Sequence, residues 1–118
     1  MPKTSLQHIP HPNHRLGCAA VSDGRTVYIS QLTACTAGAD IRTQTAHCLA
    51  LLEGILRQAG STPATLLRVE FTVADSRCIP AVCQVWQRWQ PQPLPTPIWR
   101  FGRLPGALVA VDAIAAVD

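Results

Sequence analysis

The sequence predicts an α+β domain in which two helices cover one face of a single sheet, in the order ββαβαββ. Three observations carry this. Residues 26–30 and 67–73 are β-branched or alternate between apolar and polar. Segments 41–59 and 79–89 repeat apolar residues at helical spacing. Gly, Pro and Asp clusters punctuate the boundaries between them.

Residues 1–14, rich in Pro and His, carry no periodicity and read as an irregular arm, leaving 15–118 as one domain. Leu16 to Ser22 reads as a strand, Asp23-Gly24 as its hairpin turn, and Thr26 to Ser30 as the partner strand. After a small-residue loop at 35–39, Asp40 offers a carboxylate to the free N–H groups of a helix start. Ile41, Cys48, Leu52, Ile55, Leu56 and Ala59 fall on one face of that helix, with Arg42, Glu53 and Arg57 opposite, and Gly60 ends it. Leu67, Val69, Phe71 and Val73 form the buried side of a strand whose other side is Arg68, Glu70 and Thr72. Asp75 or Ser76 starts the second helix, which tolerates Pro80 in its first turn and buries Ile79, Val82, Trp86 and Trp89. Pro91, Pro93, Pro95 and Pro97 impose an extended loop. Ile98 to Arg103 is the next strand, Leu104 to Ala107 a turn, and Leu108 to Val117 the last strand, paired with it as a hairpin.

A chain of 118 residues suits one domain. With 47% hydrophobic and 14% charged residues, much of its surface must be covered, and the sheet face left bare by the helices is expected to be buried by sister subunits. The net charge of +3 comes from ten scattered Lys and Arg without a basic run, which argues against a nucleic-acid partner. No apolar run is long enough to span a membrane, and Met1 to His8 lacks a signal-peptide core. Five cysteines (18, 35, 48, 78 and 83) without a C-x-x-C pair point to free thiols in a reducing cytoplasm.

Asp23-Gly24-Arg25-Thr26-Val27-Tyr28-Ile29-Ser30, Gln44-Thr45, Ala59-Gly60, Asp75, Trp86 with Trp89, Arg103-Leu104-Pro105 and Ala113-Ile114-Ala115 follow one another in an order and spacing that resembles the YjgF/RidA family over residues 15–117. The resemblance implies a chorismate-mutase-like domain. It further implies a homotrimer around a central barrel, with a small-molecule cleft at each subunit interface. In the deaminating members a cleft arginine holds the substrate carboxylate, and a glutamate with backbone groups helps water hydrolyse an imine. At the matching positions this chain has Pro97 (or Thr96, with the gap placed differently) for the arginine and Ala110 for the glutamate. It has Asp112 for a second acid two residues on, and Ser30-Gln31-Leu32 where the family has Ser-Gly-Gln. Cys83 replaces a polar helix residue, and Gly17 a cleft tyrosine.

Asp112 is the one charged residue in the apolar run 107–117, so it requires a partner or a proton. It reads either as a general acid or base acting on an enamine or imine, or as an interface carboxylate paired with an arginine or a backbone N–H. A hairpin turning at Pro105-Gly106 sets Asp112 opposite Trp99, on the face of Phe101 and Arg103, with Arg100 pointing the other way. Trp99 and Phe101 would then wall the cleft, and Arg100 or Arg103 would replace the missing arginine. Gln31 would orient the ligand, and Cys83 would line the cleft or simply fill core. Cys35 also reads as near the cleft, by alignment with a polar family position. His8, His11 and His14 repeat at polyproline spacing without a fourth ligand, and neither a metal nor a cofactor is expected. The chain is therefore expected to bind a small organic molecule and to hydrolyse or tautomerise an enamine or imine. The alternative is a binding trimer that has lost the reaction.

Overall fold

In the computed structural model, which describes residues 6–11, 18–34 and 38–118, the chain runs β1 (Gln7–Pro10), β2 (Cys18–Ser22), β3 (Thr26–Leu32), α1 (Ile41–Gln58), β4 (Leu66–Val73), α2 (Ile79–Trp89), β5 (Ile98–Phe101) and β6 (Val109–Ala116). The strands form one mixed sheet ordered β1-β2-β3-β6-β4-β5, and both helices pack on one of its faces. The expected α+β layering stands. No helix among the described residues is long and apolar enough to cross a membrane.

The local signals act as their chemistry requires. The Asp23 carboxylate accepts the N–H groups of Arg25 (2.9 Å) and Thr26 (2.8 Å), and Gly24 supplies the positive φ of +91° that closes the β2–β3 turn. Asp40 accepts the Thr43 N–H at 2.8 Å and caps α1. The buried face of α1 includes two polar residues beyond the apolar stripe, Gln44 and Thr45. The Gln44 amide accepts the Leu108 N–H at 2.8 Å and donates to the Ala39 carbonyl at 2.9 Å, which ties the start of β6 to the helix.

Three expectations are corrected. Residues 7–10 are not irregular: they form β1, antiparallel to β2, with a register break at Pro10. Leu67 is exposed, because the β4 register shifts between Leu66 and Arg68 and this extra residue rotates it out of the core. Most consequential, β5 and β6 are not a hairpin. β5 runs parallel to β4, and β6 lies between β3 and β4, antiparallel to both. The reason is topological: α2 carries the chain from β4 to a parallel neighbour, as a βαβ crossover does. β6, with Val109, Ala110, Val111, Ala113 and Ala115 all buried, needs a neighbour on both sides, whereas the four residues of β5 suit an edge.

The core lies between the helices and the sheet, around Val27, Ile29, Leu49, Leu52, Leu56, Val69, Phe71, Val82 and Val111. Cys48 lies within it, 0% exposed, with Sγ 3.7 Å from the Leu32 carbonyl, and burial pushes its thiol up to about 11 from 9.0. Between these two pH values the folded chain keeps a proton that the unfolded chain releases, so stability falls as pH rises from 9.0 towards 11. Denaturation midpoints across that range should drop less steeply in Cys48→Ala than in the wild type.

Candidate functional site

The sheet face away from the helices carries three rows of side chains set by strand register. Tyr28, Ile114 and Arg68 form the first, across β3, β6 and β4. Asp112, Glu70 and Ile98 form the second, and Ala110, Thr72 and Arg100 the third, across β6, β4 and β5. A hollow of about 230 Å³ opens on this face, lined by Tyr28, Ser30, Arg68, Glu70, Asp112 and Ile114 with adjoining backbone. That is smaller than the roughly 300–1,000 Å³ of drug-sized pockets, so it suits a small molecule or one half of a cleft completed by another surface.

Asp112 obtains its partner from a backbone irregularity. The β3–β6 register breaks between Ile29 and Leu32, and Gln31 there adopts a φ of +50°, in the left-handed region. Its N–H leaves the ladder and donates to Asp112 Oδ1 at 2.8 Å, while its side-chain amide reaches Oδ2 at 3.4 Å. One residue thus holds both carboxylate oxygens, and of the partners anticipated from sequence it is the backbone N–H that meets Asp112. A non-glycine residue in this conformation costs about 1–2 kcal/mol. Gln31→Gly should relieve that strain and keep the N–H bond, giving a net gain of about 0.5 kcal/mol after the greater freedom of the unfolded glycine is subtracted. Urea midpoints of the two proteins measure it, and a loss of stability would contradict the strained assignment.

Directly across β4–β6 from Asp112 stands Glu70, its side chain 11% exposed. Two opposed carboxylates repel. Arg68 offsets this by donating from Nε (3.1 Å) and Nη2 (2.7 Å) to Glu70 Oε1, and Arg100 Nε lies 3.0 Å from Oε2. The face therefore balances two guanidiniums against two carboxylates, with Glu70 shared by both cations.

The structure brings Asp112, Gln31 and Arg100 onto or beside one face and separates the rest. Trp99 does not oppose Asp112. It pairs with Phe71 and stacks on its ring (5.4 Å between centroids, 26°), on the helix side. Phe101, two residues on, shares the Trp99 side, so the expected aromatic wall faces away from the hollow. Both corrections follow from the parallel β4–β5 pairing. Arg100 does point opposite to Trp99, as its parity requires, and that direction is the Asp112 face. Arg103 is exposed in the loop after β5, and Cys83 is half-buried on α2 away from the hollow's lining. The expectations placed on Gly17, His14 and Cys35 lie outside the described residues. From sequence alone Arg68 and Glu70 belong only to the polar side of a strand, and Tyr28 carries no site signal. Their signal was the i, i+2 spacing of Arg68 and Glu70, which puts opposite charges on one strand face.

A second depression of about 360 Å³ lies between the helices, lined by Arg42, Ala46, Gln84, Val85, Arg88 and Trp89. Its Arg42 guanidinium already donates to Gln84 Oε1 at 3.1 and 2.9 Å, and no carboxylate lines it. The carboxylates Glu70 and Asp112 thus line the open sheet face and not this groove.

A family model described as Endoribonuclease L-PSP matches residues 7–117. Among solved structures, Rv2704 from Mycobacterium tuberculosis, a member of the YjgF/YER057c/UK114 family, is 27% identical with a TM-score of 0.76, covering 96% of this chain and all of that one. NMB1025 of the YjgF family from Neisseria meningitidis is 20% identical with a TM-score of 0.86, covering 99% of this chain and 98% of that one. TdcF from E. coli, solved with bound serine, is 18% identical with a TM-score of 0.81, covering 94% of each chain. No curated protein matches the chain significantly.

Proposed function

This chain belongs to the endoribonuclease L-PSP, or YjgF/RidA, family, and from that premise we propose that it binds a small organic molecule in the open-face hollow and hydrolyses or tautomerises an enamine or imine there. The observation that carries this reading is Asp112: a half-buried carboxylate, oriented by Gln31, on the floor of the hollow and opposite Glu70. In imine hydrolysis Asp112 takes a proton from a water molecule as its oxygen attacks the imine carbon. On a protonated imine this gives a carbinolamine; Asp112 then returns the proton to its nitrogen and takes up the hydroxyl proton as the carbonyl forms, the carbon–nitrogen bond breaks and the amine leaves. In tautomerisation the same group, in its protonated form, delivers a proton to the enamine carbon and takes one from the nitrogen. Gln31 keeps the carboxylate in place through both transfers.

The open face supports a homotrimer in which each hollow is completed by a neighbouring copy. Tyr28 (48% exposed) and Ile98 (39%) leave apolar surface on a sheet that the helices cover on one side only. The balanced charges of the face do not favour RNA, whose backbone requires a net-basic groove with stacking platforms. A second reading, a binding trimer without turnover, is favoured by one observation. Ala110, at the position where the resemblance implies a glutamate, is fully buried and offers no acid or base.

The test is conversion of imines derived from small aliphatic and from bulky aromatic amino acids, followed as release of the carbonyl product. Accelerated release with either class supports the enzyme. Saturable binding with no acceleration supports the second reading.

A further inference from the structure

We propose that the groove between α1 and α2 is a second ligand site, which takes a planar aromatic ring carrying an anionic group. It lies on the helix side of the sheet, opposite the hollow at Asp112, and it stands whether or not that hollow is catalytic.

The charge of the groove is unbalanced. Arg42 from α1 and Arg88 from α2 both line it, and no acidic residue does. Arg57 on α1 and Arg77 just before α2 each give their charge to a carboxylate, Glu53 at 2.8 Å and Asp75 at 2.9 Å. Arg42 instead donates from Nε (3.1 Å) and Nη2 (2.9 Å) to Gln84 Oε1, an uncharged acceptor that aims the guanidinium without neutralising it. Arg88 is exposed and enters no ion pair among the described residues. Two like charges on one depression repel, and an anion seated against both removes that repulsion.

Beside the two cations the lining is apolar. Val85 and Trp89, four apart on α2 and both half-buried, share the groove with Ala46, whose small side chain leaves room on α1. Trp89 is held from behind. Its ring stacks on Trp86 at 5.6 Å and 27°, and Trp86 meets the fully buried Phe71 edge-on at 5.5 Å. A platform fixed by its own packing needs little ordering when a further ring settles on it. The volume of about 360 Å³ lies within the range of small-molecule sites. It is too small for the roughly 800 Å² that each partner buries in a stable protein complex. The fitting occupant is therefore a small aromatic anion.

Titration calorimetry of the full chain in low salt tests this with three probes: 2-naphthoate, its neutral amide 2-naphthamide, and the non-aromatic anion cyclohexanecarboxylate. The proteins are wild type, Arg88→Gln, Arg42→Gln, Trp89→Leu and, as a control on the hollow, Arg68→Gln. Arg42 and Arg88 are exposed, so their variants should fold, and they decide the matter if circular dichroism shows that Trp89→Leu does not. The expected result is 2-naphthoate binding to wild type about tenfold more tightly than either other probe. It should weaken about fivefold in each of the three groove variants, fall as salt is raised, and stay unchanged in Arg68→Gln. No binding of 2-naphthoate, equal binding of either other probe, or unchanged binding in both groove arginine variants would each overturn the proposal. A loss in Arg68→Gln alone would overturn it by putting the ring in the hollow. Binding of a hexaglutamate peptide without binding of 2-naphthoate would make the groove a docking surface for an acidic chain. A change of oligomeric state in Arg88→Gln, seen by light scattering, would make it a contact between copies; either result overturns the small-molecule site.

Discussion

Asp112→Asn should lower imine or enamine turnover by about a hundredfold or more, the usual contribution of a positioned general acid or base. Asparagine keeps the shape of the side chain and one acceptor oxygen, so the Gln31 N–H retains a partner and the bulge at the end of β3 should survive. What is lost is the ability to take up and return a proton. Asp112→Ala is different. It removes the acceptor of the Gln31 N–H at 2.8 Å, leaving a strained residue unsupported, at about 1–3 kcal/mol. Comparing the two variants separates chemistry from structure. Turnover lost in both with stability lost only in the alanine variant matches the proposed role, whereas turnover intact in Asp112→Asn would leave Asp112 as a structural acceptor for β3.

Phe71→Ala should be the most destabilising single substitution on the helix side of the sheet, at about 3–5 kcal/mol. Phe71 is fully buried, meets Trp86 edge-on at 5.5 Å and 82°, and lies under Trp99. Trp86 in turn stacks on Trp89 at 5.6 Å. Removing the central ring leaves a cavity that three large side chains cannot fill without leaving their rotamers. The damage should extend to β5, whose docking depends on Trp99, and therefore to the position of Arg100 on the opposite face. Leu67→Ala is the control: at 61% exposure it should change stability by less than about 0.5 kcal/mol. A large loss at Leu67 would contradict the β4 register shift. Urea unfolding followed by tryptophan fluorescence reads both.

Each element could be read from its own residues wherever the signal is local. The Asp23 turn, the Asp40 cap, the stripe on α1 and the alternation in β3 depend on neighbours a few positions away, and all are present. Asp112 stood out because a single acid in an apolar strand has to be accounted for, and Gln31 because it stands where the resembling family has a glycine; that the chain turns left-handed there is visible only in the structure. What escaped was non-local. Periodicity tells which residues share a face of one strand, but not which strand lies beside it. A short turn between β5 and β6 made a hairpin the economical choice, and the insertion of β6 between β3 and β4 reversed which residues Asp112 faces. Trp99 and Phe101 thereby left the site and Glu70 entered it. Arg68 and Glu70 looked like ordinary surface charges for the same reason: only the pairing of β4 with β5 and β6 brings Arg100 and Asp112 to them.

The proposed ligand site is the open sheet face at Asp112 and Gln31. Soaking crystals of the protein with pyruvate tests it most directly. Ligand density is expected in the hollow between Arg68 and Asp112, on the side of the sheet away from α1 and α2. Density confined to the groove between the helices, beside Arg42 and Trp89, with the open face empty, would contradict it.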